Sequence, residues 1–144
     1  MILEIIALFS CGTFFGAAIY ISLAQHPAVL EAGGTVGGQF FPPMYKRAAS
    51  IQVPLALFGF VSGGILGYQS SEILWLAGAL LLLSVIPITL VFIKPVNDIL
   101  LSSETLADLT EIESLLILWG KKHWWRSIVS GASFLLYLYV AVND

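Results

Sequence analysis

The residues of this chain with the clearest capacity for acid–base or anion chemistry lie close together near its C-terminal end. Trp119, His123, Arg126, Ser130 and Ser133 follow one another at alternating spacings of four and three. That spacing places all five side chains on one face of a helix. Arg126 could hold a carboxylate or phenolate, or extend to lipid phosphates. His123 could be an interfacial histidine among tryptophans, but its place beside Arg126 favours a functional role.

Other segments carry polar residues that could share a site with this face. Gln52 lies seven residues beyond Tyr45, which is roughly 10 Å along a helix at about 1.5 Å per residue. Asn97 follows Thr89 at helical spacing, and His26 ends the first apolar stretch. We predict that these residues line a pocket. Gln52 and Asn97 could instead be interhelical hydrogen-bond partners, and His26 could simply cap its helix.

The histidine and cysteine content of the chain permits few kinds of metal site. It has two histidines, His26 and His123, so a three-histidine site within one chain is excluded. A two-histidine site completed by Asn97, Gln52, a carboxylate or water stays open. Cys11 is the single cysteine, which excludes an internal disulfide and a cysteine cluster, and we expect it to pack as a small hydrophobe.

Composition indicates that a membrane holds these residues. The chain is 58% hydrophobic and 10% charged, with a mean hydropathy of +0.94, whereas a soluble domain carries about 25% charged residues. Four apolar stretches approach the length of about 20 residues that a membrane-spanning helix needs. They cover about residues 5–24, 45–68, 73–93 and 124–140. We therefore predict an all-α, membrane-embedded four-helix bundle that forms a single integral membrane domain over residues 1–144.

The connections between the spans differ in kind. Residues 69–72 predict a tight turn, whereas the glycines and prolines of residues 25–44 predict an irregular loop. Residues 103–119 predict an additional amphipathic helix between spans three and four, which could lie on the membrane surface or continue into span four as one helix. In span one, the predicted inward face carries Thr13, Ala17, Tyr20 and Ala24.

The positions of the basic residues predict how the chain is oriented in the membrane. The basic residues all fall in the loops after spans one and three or beside them: Lys46, Arg47, Lys94, Lys121, Lys122 and Arg126. The positive-inside rule then predicts that both large loops are cytoplasmic and both termini lie outside. The predicted pocket opens at that cytoplasmic face. There is no basic surplus of the kind that indicates nucleic-acid binding.

Several short motifs carry a resemblance to a known family. They are His26-Pro27-Ala28, then Pro43-Met44-Tyr45-Lys46-Arg47 with Gln52, then Pro87-Ile88-Thr89 with Pro95-Val96-Asn97, and finally Trp119 with His123 and Arg126. In this order and spacing, over nearly the whole chain, they resemble the anthrone oxygenase-like family of small four-span membrane proteins.

The resemblance implies a monooxygenase-type oxidoreductase that oxidises a flat, apolar phenolic substrate with molecular oxygen. His123 would act as the base and Arg126 would stabilise the oxyanion. Tyr45, Gln52, Asn97 and Trp119 would bind and orient the substrate. His26 would contact it, carry a second proton, or join His123 in binding a metal. The scheme requires no organic cofactor.

A non-catalytic protein is the alternative. The same pocket could bind a lipid, a quinone or another small hydrophobic ligand, or the chain could be a subunit of a larger membrane complex. A transporter is less favoured, because four short spans carry few buried charges, unless the chain forms homo-oligomers. Under each of these functional hypotheses the lipid bilayer is a partner of the chain.

Overall fold

The computed structural model describes residues 1–102 and 108–143. The described part of the chain contains four helices that are long and apolar enough to cross a membrane. They are α1 (Ile2–Glu31), α2 (Gly34–Ser70), α3 (Ile73–Leu101) and α4 (Leu109–Asn143). The predicted all-α four-helix bundle is confirmed. Two helices widen locally into π-helical turns, at Ile21–Gln25 in α1 and at Thr89–Ile93 in α3.

The predicted turn after α2 is present and joins antiparallel neighbours. Ser71 ends α2 in the left-handed conformation, with φ of 59°. Glu72 begins α3, because its carboxylate accepts a hydrogen bond from the Leu74 amide at 3.3 Å. This side-chain cap satisfies one of the amides that every helix N-terminus leaves without an internal partner.

The predicted irregular loop over residues 25–44 is wrong. Both sides of this segment are helical, and the chain reverses at Gly33, whose φ is +89°. The glycines serve packing rather than flexibility, since a Cβ added at Gly37 would clash with Leu116 Cδ1. Glu113 of α4 then accepts a hydrogen bond from the Gly34 amide at 3.0 Å, which holds the start of α2 against α4.

The predicted amphipathic segment continues into span four as one helix, which is the second of the two alternatives predicted for it. Residues 103–107 lie outside the described residues, and from Leu109 onward the segment is the first part of α4. Its apolar side chains Ile112, Leu116 and Trp119 are buried in the bundle beside Phe41. An apolar face of this kind can cover protein as readily as lipid, and here it covers protein.

The predicted inward face of α1 is also wrong. Tyr20 is 61% exposed, whereas Ala7, Cys11, Phe14 and Ala18 are fully or almost fully buried. The mostly small side chains of this face allow α1 to approach the other helices closely. Cys11 packs inside the core as predicted.

Two clusters of buried side chains stabilise the bundle, one toward each end. The first surrounds Tyr137, whose hydroxyl donates a hydrogen bond to the Gly59 carbonyl at 2.9 Å. Gly63 lets the phenol approach, because a Cβ there would clash with the Tyr137 oxygen. The second cluster surrounds Trp119 and includes Ile93.

Candidate functional site

A cavity of about 180 Å³ lies between the two core clusters and is lined by all four helices. Six of the seven predicted site residues line it: Tyr45, Gln52, Asn97, Trp119, His123 and Arg126. The seventh, His26, does not line this cavity. The remaining walls are largely apolar and include Phe14, Ile21, Val85 and Ile93.

Arg126 and Gln52 are hydrogen-bonded to each other in the wall of the cavity. The guanidinium Nη2 donates to Gln52 Oε1 at 2.5 Å, while its Nε is buried without a hydrogen-bond partner. The guanidinium carbon lies 5.3 Å from the centre of the Phe14 ring, in a cation–π arrangement. In residues 1–102 and 108–143 the ion pairs are those of the Met1 terminus with Glu4 and of Lys94 with Asp98.

Asn97 faces the cavity from α3 and is fixed by Trp119. The indole Nε1 donates to Asn97 Oδ1 at 2.7 Å. Asn97 is only 1% exposed, and its Nδ2 is buried without a partner. An unpaired buried polar group costs free energy, so it requires an explanation wherever it occurs.

His123 is held on two sides. Its ring stacks on Trp119, with ring centres 4.7 Å apart, and its Nδ1 lies 3.0 Å from Ser22 Oγ. Ser22 Oγ in turn lies 2.9 Å from Ser127 Oγ. The partner of one imidazole nitrogen decides the tautomer and therefore the chemistry of the other nitrogen. The part of the chain that the structure describes offers no hydrogen bond to Nε2, and the His123 side chain borders the cavity.

Sequence reasoning missed Ser22 and Ser127. Ser127 follows His123 by four residues, which is a helical spacing that could have identified it. Nothing in the sequence places Ser22 of α1 opposite the same histidine. That contact depends on how α1 and α4 pack.

His26 packs against Leu116 and Trp119 of the second core cluster. Its Nε2 donates to the Leu116 carbonyl at 2.8 Å, and its ring centre is 4.9 Å from that of Trp119. Gly120 makes room for it, since a Cβ there would lie 2.5 Å from His26 Cδ2. A second, much smaller cavity of about 10 Å³ adjoins His26 and Gln25.

The described residues contain no group of three or more His, Cys, Asp or Glu side chains arranged to hold a metal ion. Each histidine already commits one ring nitrogen, His26 to Leu116 and His123 to Ser22. A site formed by the two histidines with another ligand stays a prediction.

The cavity wall reaches the outside of the bundle between α2 and α3. Val53 and Leu90 border the cavity and are 51% and 57% exposed. Leu90 belongs to the π-helical turn Thr89–Ile93, which supplies three of the lining residues of α3. An apolar rim on the outer surface of a spanning bundle faces hydrocarbon rather than water.

Comparison with known proteins gives one family. The model of the family described as anthrone oxygenase matches residues 41–136, a range that contains all six of the predicted site residues that line the cavity. No curated protein and no solved structure matches the chain significantly.

Proposed function

This chain belongs to the anthrone oxygenase family, and from that membership we propose that it oxidises a flat, apolar phenolic substrate with molecular oxygen. The observation that carries the proposal is the convergence of six polar and aromatic side chains from α2, α3 and α4 on one largely apolar cavity. A membrane bundle buries polar side chains at a cost, which favours a binding or catalytic role for them.

For an anthrone the reaction balances without an added reductant. The substrate and one O₂ give an anthraquinone and one water. A base removes a proton from the central methylene carbon, and the negative charge spreads onto the carbonyl oxygen. That carbon then gives its electron pair to O₂ and forms a C–O bond, and the distal oxygen takes up a proton. Loss of the second hydrogen and cleavage of the O–O bond release water and form the second carbonyl.

The cavity supplies a residue for each role. His123 takes the first proton on Nε2, in the tautomer in which Nδ1–H donates to Ser22 and the Ser22 hydroxyl donates to Ser127. Arg126, which lines the cavity together with Asn97, donates to the oxygen that becomes negative. Trp119 and Tyr45 flank the flat ring system. His26 supports Trp119 from outside the cavity.

Oxygen uptake tests the proposal directly. In lipid nanodiscs, the protein should consume one O₂ for each anthrone and form anthraquinone faster than empty nanodiscs do. Filling the cavity with Ala49→Phe should abolish the excess rate, since Ala49 lines it. The matched variant Ser50→Phe adds the same ring on the exposed neighbour and should retain the rate. Uptake no faster than that of empty nanodiscs would contradict the oxidation and favour the non-catalytic alternative of a hydrophobic-ligand site.

We also propose that α1–α2 and α3–α4 are joined in the cytoplasm and that both termini lie outside. The basic residues supply the reason, as the sequence predicts. A cysteine placed at Lys46 should react with a membrane-impermeant maleimide only after cells are opened, whereas one at the exposed Tyr68 should react in intact cells. Native Cys11 is buried and contributes little background. The reverse pattern would overturn the orientation.

A further inference from the structure

The side-chain amides of the cavity are oriented so that their donors remain free. Trp119 Nε1 and the Arg126 guanidinium can only donate, so the amide atom that each one contacts is an oxygen. The orientation of the Asn97 and Gln52 amides is thereby fixed, and each oxygen already accepts one hydrogen bond from the protein. The amide nitrogens, which can only donate, make no hydrogen bond in the described part of the chain.

Arg126 adds a positive charge for which the cavity has no anion. Its Nη2 is bound to a neutral amide, its Nε is buried and unpartnered, and no Asp or Glu of residues 1–102 and 108–143 lines the cavity. Asp98, one residue after Asn97, is exposed and paired with Lys94. A cation removed from water without a counter-ion is costly, and the cost falls when an anion binds beside it.

The walls limit the shape of that anion. The cavity exceeds the roughly 150 Å³ that accommodates a benzene ring, and Val53 and Leu90 leave it open at one side. Phe14, Ile21 and Val85 offer apolar contact but no hydrogen bond to a polar ligand body. A flat aromatic body with one charged edge satisfies both the walls and the donors.

We propose that the cavity is a binding site for an aromatic oxyanion, which is a flat aromatic molecule whose carboxylate, phenolate or enolate oxygen carries a negative charge in the bound state. The Arg126 guanidinium and the side-chain amides that line the cavity receive the charged oxygen, and the apolar walls receive the rings. The inference rests on the proposed function in taking this cavity as the ligand site, and it specifies the charge of that ligand. It does not depend on oxidation.

Three naphthalene probes of nearly equal shape test the charge. Binding of 2-naphthoate, 2-naphthamide and 2-naphthylmethylammonium to the protein in zwitterionic nanodiscs is measured by equilibrium dialysis against empty nanodiscs at neutral pH. We expect the carboxylate to bind about tenfold or more tightly than the amide, as a charge-assisted contact requires. The ammonium should bind least. Equal binding of carboxylate and amide would overturn the proposal.

Variants assign the preference to these residues. Arg126→Gln should reduce the carboxylate preference to about twofold or less, whereas Arg47→Gln removes an exposed arginine outside the cavity and should keep it. Asn97→Asp is nearly isosteric and keeps an oxygen for Trp119, but places an anion in the cavity, so it should also abolish the preference. An unchanged preference in both Arg126→Gln and Asn97→Asp would refute the site.

The probes separate this inference from the oxidation. None of them can undergo the proposed reaction, since each lacks the central methylene carbon. A carboxylate preference without anthrone-dependent oxygen uptake would support the anion site and reject the oxidase. Oxygen uptake without any preference for the carboxylate would support the oxidase and reject the anion site.

Discussion

His123→Gln should lower kcat for oxidation of an anthrone by about 100- to 10,000-fold, which is the usual contribution of a positioned general base. The imidazole occupies one wall of the cavity, and its Nδ1 contacts Ser22, so Nε2 is the nitrogen that can accept a carbon-bound proton. Glutamine can keep a hydrogen bond to Ser22, but it is not basic. Initial rates of anthraquinone formation in nanodiscs measure the effect.

The control for this prediction is Lys121→Gln, which removes an exposed cation two residues away on the same helix. It should leave kcat within about twofold of the parent rate, as surface changes usually do. A His123→Gln protein that unfolds at the same temperature as the parent and still turns over at the parent rate would show that another group takes the proton.

Helical periodicity identified the cavity residues of α4 because the pattern is local. Trp119, His123 and Arg126 must share a face in any helix, whatever surrounds it. Gln52 and Asn97 were found because an amide is costly to expose to lipid. That rule says that a side chain faces protein without saying which neighbour it meets, so the pairs Arg126–Gln52 and Trp119–Asn97 required the fold.

Several of the features that could not be predicted depend on how two helices pack against each other. In the sequence, a glycine such as Gly37 indicates a flexible segment. Only the structure shows that Leu116 packs against it. An apolar stripe such as that of Ile112 and Leu116 is the same whether lipid or protein covers it.

His26 shows a further limit on prediction. It follows a π-helical turn, which inserts an extra residue and changes the face that later residues present. The histidine contacts Leu116 and Trp119 instead of lining the cavity. The sequence alone gave no indication of this turn.

Arg126→Lys should lower kcat/KM by about 100- to 1,000-fold, which is the usual cost of losing one donor to a developing oxyanion. The variant keeps the positive charge, so it separates geometry from charge. Arginine can donate to Gln52 through Nη2 and to a ligand through another N–H of the same guanidinium, but the single ammonium of lysine cannot hold both positions in the same rigid fork.

The same variant should keep part of the preference for 2-naphthoate, because an ammonium in the cavity still attracts a carboxylate. Rate and binding are therefore expected to diverge in Arg126→Lys and to fall together in Arg126→Gln. Parallel oxygen-uptake and dialysis measurements on the two variants test this. Equal turnover by Arg126→Lys and the parent would mean that the cavity needs only a nearby charge, and that the planar guanidinium has no part in stabilising the oxyanion.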